Sequence, residues 1–154
     1  MRWDQGRGEV DALLARGHLQ RVVASRDHAD LLVRQARAHL AAAAAVAEFD
    51  PPGAYALAYD AARKALTAIL ENQGVRPTRS GGHLAAFHAV RAQLVPPMAD
   101  VLSPFDRIRR TRNETEYPAG DRPELTADDV LEDQAICQAI VQLADRVLDQ
   151  MSPF

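Results

Sequence analysis

The segment with the strongest chemical signal is an arginine-rich run at residues 106–118. Guanidinium groups bind phosphate through two parallel hydrogen bonds, so clustered arginines are typical of anion binding. Like charges three or four residues apart on a helix repel one another by roughly 0.2–0.5 kcal/mol per pair. The run is therefore a poor choice for building a helix alone and indicates a binding role. It contains four arginines within six positions, namely Arg107, Arg109, Arg110 and Arg112.

Arg112 is the most informative of these arginines because it follows Ile108 by four residues. That spacing places Arg112 on the predicted buried side of its helix. A guanidinium group in that position needs an internal carboxylate or a bound anion. Two interpretations remain open at this point. Arg112 pairs with Glu116 one turn along the helix or with Asp60, the favoured orienting group, or else it holds an anion.

Tyr117 precedes Pro118, and a residue before proline is displaced from the α region. Its ring is therefore expected to leave the helix path and to swing back beside Arg112 and Asn113. We predict that Arg112, Asn113 and Tyr117 form the candidate catalytic group, with Arg109 and Arg112 binding phosphate. Glu116, Asp60 and His83 are predicted to support them.

The histidines predict no metal site, because they share no metal-ligand spacing and the chain has one cysteine. No cofactor is expected either. His83 follows two glycines at a predicted helix start. It is either a solvated residue at the helix end or, if the fold brings it to Tyr117, a substitute proton carrier.

Length and composition predict an ordinary globular domain spanning residues 1–154. Hydrophobic residues make up 47% of the chain and charged residues 25%, which are usual values for such a domain. Alanine and leucine dominate the apolar content, which favours helices. The net charge is −3, so any attraction of phosphate must come from a local patch.

Targeting signals are not evident in the sequence. No stretch of 18 apolar residues occurs without charge, and the N-terminus lacks an apolar signal core. Cys137 falls within an apolar helical pattern and is expected to be a core residue in a reducing compartment. These observations predict a cytoplasmic protein without a membrane partner.

Apolar spacing and helix-end residues predict an all-α, antiparallel up-and-down bundle of four to five main helices plus a short leading helix. Residues 1–8 and 152–154 are expected to fray, residues 75–82 to form a loop, and no strand is expected. Ser103 with Pro104 is predicted to begin the arginine-rich helix. The predicted helices cover residues 9–16, 25–49, 51–73, 83–95, 104–116 and 127–151.

Residues 112–117 resemble the motif that ends the penultimate long helix of HEPN domains, in which a polar residue follows an arginine. Residues 55–66 resemble the second helix of that superfamily. Residues 81–83 are similar to the entry into the next helix in an actinobacterial branch. The likeness covers about residues 17–148. It implies a helical bundle that acts on RNA and forms a homodimer with the motif helices facing each other.

The chain departs from the RNA-cleaving members of that superfamily at Tyr117. Those members have a histidine there, which transfers protons while a 2′-hydroxyl attacks the neighbouring phosphate. A phenol with a pKa of about 10 is a poor base at neutral pH but donates a hydrogen bond to phosphate. The resemblance therefore implies binding of RNA or nucleotide phosphate. It leaves open a weak metal-independent endoribonuclease of the toxin–antitoxin or defence type.

A different class of function also fits the sequence. The domain can be a non-catalytic interaction module, either a homodimer or the partner of a nucleotidyltransferase, whose arginines contact protein. Ribonuclease activity, or an anion held by Arg112, distinguishes the two classes.

Overall fold

The computed structural model describes residues 3–154, so the part of the fraying prediction that concerns Met1 and Arg2 lies outside the described residues. Helices account for most of this range, and the all-α prediction is confirmed. The elements in chain order are α1 (Arg7–Ala15), β1 (Leu19–Arg21), α2 (Arg26–Val46), α3 (Pro51–Gln73), β2 (Val75–Pro77), α4 (Gly82–Leu94), α5 (Ala99–Leu102), α6 (Phe105–Glu116) and α7 (Ala127–Val147).

Helix α3 is the centre of the bundle and contacts α2, α4, α6 and α7. Its inward faces carry many alanines, which let neighbouring helices approach closely. The side chain of Asp50 accepts a hydrogen bond from the Gly53 amide at 3.0 Å, and Pro51 occupies the first helical position. Gly74 ends the helix with a positive φ of 86°. The predicted limits of this helix are therefore confirmed.

The prediction of no strand is wrong for two short segments. β1 and β2 form an antiparallel pair in which Leu19 lies opposite Pro77 and Arg21 opposite Val75. Each strand is too short for an alternating pattern to be detected in the sequence. The pair ties the α3–α4 connection to the segment before α2 and fixes the start of α4. A Cβ at Gly81 would lie 2.1 Å from the carbonyl oxygen of His18, so only glycine fits there.

Both termini of the described chain are better packed than the sequence predicted. α1 begins at Arg7, and Trp3 is partly buried against the core. Gly6 approaches Ala92 so closely that a Cβ would lie 2.4 Å from a backbone carbon. At the other end, the Phe154 amide donates to the Gln73 carbonyl at 3.1 Å. Residues 3–8 and 152–154 therefore contact the core, whereas the sequence predicts frayed ends; the fraying itself stays a prediction.

The arginine-rich helix α6 begins differently from the prediction. Ser103 ends the single turn of α5, and its amide donates to the Ala99 carbonyl at 2.8 Å. Ser103 has a helical backbone conformation as the C-cap of α5, so it is not the predicted N-cap; Pro104 takes that position and provides no side-chain cap. Cys137 is buried in the core, as predicted. None of the helices within residues 3–154 combines the length and apolar character needed to cross a bilayer.

Candidate functional site

Three helices bring five side chains together beside the start of α4. α3 supplies Tyr59 and Arg63 one turn apart, and α6 supplies Arg109 and Arg112 one turn apart. His83, at the beginning of α4, lies close enough for all three arginines to influence its pKa. We refer to these five residues as the arginine–histidine cluster.

Tyr59 connects the parts of this cluster. The residue is only 2% exposed, and its ring stacks on Phe105 with centroids 5.6 Å apart. A hydrogen bond of 2.5 Å joins the Tyr59 hydroxyl to Nδ1 of His83. The Arg112 guanidinium lies 5.7 Å from the centre of the Tyr59 ring, within the range of a cation–π interaction. Tyr59 therefore holds His83 and Arg112 in one place.

Arg112 has the weakest hydrogen-bond partners of the three arginines in the cluster. One terminal nitrogen donates to Oδ1 of Asn113 at 3.3 Å, and the other lies 3.6 Å from Oε1 of Glu116. Its Nε is buried and has no acceptor among the described residues. Arg109, by contrast, donates from Nε to Oδ1 of Asp106 at 2.9 Å. A buried donor without an acceptor costs about 1–3 kcal/mol, so the Arg112 guanidinium favours a further acceptor.

Asp60 does not orient Arg112, contrary to the prediction. Its Oδ1 accepts hydrogen bonds of 2.8 and 2.5 Å from Arg63, and its Oδ2 lies 3.3 Å from His39 and 3.5 Å from Lys64. Asp60 and Arg63 are three residues apart on one helix and meet within that turn. Burial alone raises the pKa of Asp60, but the Arg63 hydrogen bond and charge outweigh burial and lower it. Asp60 therefore holds Arg63 in the cluster.

Tyr117 lies outside the cluster, so the predicted convergence with Arg112 is wrong. Its backbone leaves the α region before Pro118 as expected, with φ −126° and ψ 71°. The chain then runs outward into a polar loop, and the ring of Tyr117 is 79% exposed. His83 accordingly contacts Tyr59 and not Tyr117. Glu116 is beside Arg112 as predicted, at the long distance given above.

The cluster has the electrostatics of an anion site. Burial lowers the pKa of His83, and the charges of Arg63 and Arg112 lower it further. Burial also raises the pKa of Tyr59 to about 12, against the opposing effect of the arginines. At neutral pH the site therefore presents cationic guanidinium groups, a neutral imidazole and a protonated phenol. Such a set can bind a phosphate and accept a proton from a nearby hydroxyl.

The titration of His83 tests this arrangement. In an NMR titration we expect its midpoint to lie below the roughly 6.5 of an unperturbed imidazole. Arg112→Ala should raise the midpoint, because a positive charge that disfavours the imidazolium is removed. Arg146→Ala, a change of an exposed α7 arginine, should leave it unchanged. A midpoint above that of an unperturbed histidine would contradict the arrangement.

Tyr59 and Arg63 are cluster residues that the sequence analysis did not select. Tyr59 is buried on the inward face of α3, and Arg63 follows it one helical turn later. Their spacing of four residues shows that they share a helix face. The signal available in the sequence is therefore Arg63, which continues the four-residue spacing of Tyr55 and Tyr59.

Comparison with known proteins leaves the family undecided: no protein-family model, curated protein or solved structure matches the chain. Within residues 3–154, no group of histidine, cysteine and acidic side chains is arranged to hold a metal ion. The function must therefore be inferred from the geometry of the cluster and from the sequence resemblance.

Proposed function

We propose that this chain is a HEPN-like domain that binds RNA or nucleotide phosphate through Arg112, with Arg109, Asn113 and Tyr117 contributing. The single observation that carries the proposal is the state of the Arg112 guanidinium. Its Nε is buried without an acceptor, and its terminal nitrogens make only long contacts. A phosphate that replaces Glu116 would engage Nε and a terminal nitrogen together, in the two-bond geometry that guanidinium groups favour.

The proposal includes weak, metal-independent cleavage of RNA. The 2′-oxygen would attack the adjacent phosphorus and the 5′-oxygen would leave, giving a 2′,3′-cyclic phosphate and a 5′-hydroxyl. The 2′-hydroxyl proton would pass to His83, whose lowered pKa keeps it neutral at pH 7, and water would protonate the leaving oxygen. Arg112 would stabilise the charge that develops on the phosphate.

Assembly is part of the same proposal. Arg110, Asn113 and Glu114 of α6 are exposed in the single chain. The resemblance implies that two copies place these helices opposite each other, which would surround a bound strand with arginines from both chains. A C2 dimer of this kind presents the same patch from each subunit.

The experiment is a binding and cleavage assay on single-stranded RNA in the presence of a metal chelator. Fluorescence anisotropy measures binding by the wild type, and the cyclic phosphate product reports cleavage. Tyr117→His should raise cleavage, because it restores a group with a pKa near 6.5 at an exposed position.

A negative result in this assay favours the non-catalytic interaction module. If the wild type binds neither RNA nor nucleotide and Tyr117→His cleaves nothing, the nucleic-acid proposal fails. The interaction module, as a homodimer or the partner of a nucleotidyltransferase, then becomes the better account.

A further inference from the structure

A cleft of about 490 Å³ opens beside the arginine–histidine cluster. It lies between α2, α3, the turn after β2 and the start of α4. Arg63 and His83 belong to both the cleft and the cluster, so the two regions are continuous. The volume is within the range of roughly 300–1,000 Å³ typical of small-molecule sites. A ligand that begins at Arg112 can therefore extend into this cleft.

One wall of the cleft is a face of α3. Arg63, Thr67 and Glu71 recur at intervals of four residues and all line the cleft. Glu71 is 2% exposed, and its carboxylate accepts a hydrogen bond from Nε of Arg76 and lies 3.3 Å from Nδ1 of His28. The only carboxylate among the lining residues is thus already held by two basic groups and does not exclude an anion.

The rest of the cleft lining combines the exposed side chain of Arg79 with apolar side chains. Arg79 is exposed on the turn after β2 and forms no ion pair with any described residue. Leu32, Pro77 and Ala86 line the same cleft. A nucleotide fits both features, because its flat apolar base can contact the apolar side chains and its anionic phosphate can pair with Arg79. A base within a duplex is stacked and paired, so only an unpaired base can enter such a cleft.

We infer that this cleft holds the nucleotide next to the phosphate bound at Arg112, and that the ligand is single-stranded RNA. The base lies against Leu32, Pro77 and Ala86, and Arg79 contacts the next phosphate. This inference rests on the proposed function, because it takes RNA at Arg112 as its starting point. It adds a second subsite beside the phosphate site at Arg112, and it sets the shortest RNA that can occupy both subsites.

The test compares a dinucleoside monophosphate, UpU, with the trinucleotide UpUpU in calorimetric titrations. UpU places its phosphate at Arg112 and one base in the cleft, so the gain of UpUpU comes from its second phosphate. For the wild type we expect UpUpU to bind about fivefold more tightly than UpU, the upper range for an exposed charge pair. Arg79→Ala should remove most of that gain and leave UpU binding unchanged. It should also reduce the slope of log affinity against log salt for UpUpU by about 0.7.

Two further variants separate the charge of the cleft from its volume. Thr67→Met fills the cleft from the α3 wall and should weaken UpU and UpUpU together, by about fivefold for the loss of roughly 40 Å² of buried apolar base surface, because both probes place a base there. Arg146→Ala is the matched control, an exposed arginine that lies outside the cleft, and both affinities should stay unchanged. The melting temperature of each variant shows whether it is folded.

The outcomes distinguish this inference from the function on which it rests. If the wild type binds UpU and UpUpU equally, if Arg79→Ala keeps the full gain, or if Thr67→Met binds UpU as tightly as the wild type does, the second subsite is wrong while binding at Arg112 stands. If the wild type binds neither probe, the proposed function fails and the subsite fails with it.

Discussion

Replacing Arg112 with alanine should reduce RNA affinity by about tenfold to a hundredfold, the scale of hydrogen bonds to a charged group. The same change should alter the free energy of unfolding by less than about 1 kcal/mol. Its contacts with Glu116 and Asn113 are long, and removal of the unpaired Nε offsets part of their loss. Anisotropy measures the affinity, and urea denaturation measures the stability.

The control and the rescue variant sharpen this prediction. Arg146 is an exposed arginine of α7 outside the cluster, so Arg146→Ala should leave the affinity nearly unchanged. Arg112→Lys should restore little binding, because an ammonium group lacks the two-bond geometry. If Arg112→Ala instead unfolds the protein, at a cost of several kcal/mol, the arginine is structural and the site is misassigned.

Among the substitutions considered, we expect the largest loss in the free energy of unfolding at Asp133, a residue outside the arginine–histidine cluster. Tyr55 is 1% exposed, and its hydroxyl donates to Oδ2 of Asp133 at 2.7 Å. Arg107 donates to both oxygens of Asp133, at 2.9 and 3.1 Å. Asp133→Ala leaves the buried phenol without its acceptor and should lower the free energy of unfolding by about 2–3 kcal/mol. Glu132→Ala, at an exposed neighbouring position, should have almost no effect.

The pH dependence of the free energy of unfolding provides a second test of the Asp133 carboxyl group. Burial alone raises the pKa of Asp133, but hydrogen bonds from Arg107 and Tyr55 outweigh burial and lower it. A carboxyl with a lowered folded-state pKa stabilises the protein fully above its unfolded pKa of about 3.9. That contribution is lost as the pH falls through the folded-state pKa. Urea denaturation should therefore show that Asp133→Ala costs less stability below this range than at pH 7.

The sequence predicted the main helices because their signals are local. Asp50 and Gly74 limit α3 through contacts within a few residues, and Thr126 begins α7 with a reciprocal hydrogen-bond pair to Asp129. The β1–β2 pair and the packed termini were missed for the opposite reason. Their contacts join segments that are distant in sequence, and three-residue strands show no detectable period.

The candidate site was predicted only in part, for related reasons. Arg112 stood out because its position on the apolar side of α6 follows from helix geometry alone. Its neighbours did not, because Tyr59 and His83 come from other helices. Tyr117 was placed wrongly because the rule for residues before proline gives the backbone and not the direction of the chain beyond it.

The most direct test of the central claim observes the Arg112 guanidinium itself. Nε–Hε NMR spectra, with the Arg112 signal assigned by its loss in Arg112→Lys, can be recorded during titration with UpU. Binding at this site predicts a saturable shift of the Arg112 signal, with the Arg146 signal unchanged. A titration that shifts other arginine signals and leaves that of Arg112 in place would contradict the claim that this residue holds the phosphate.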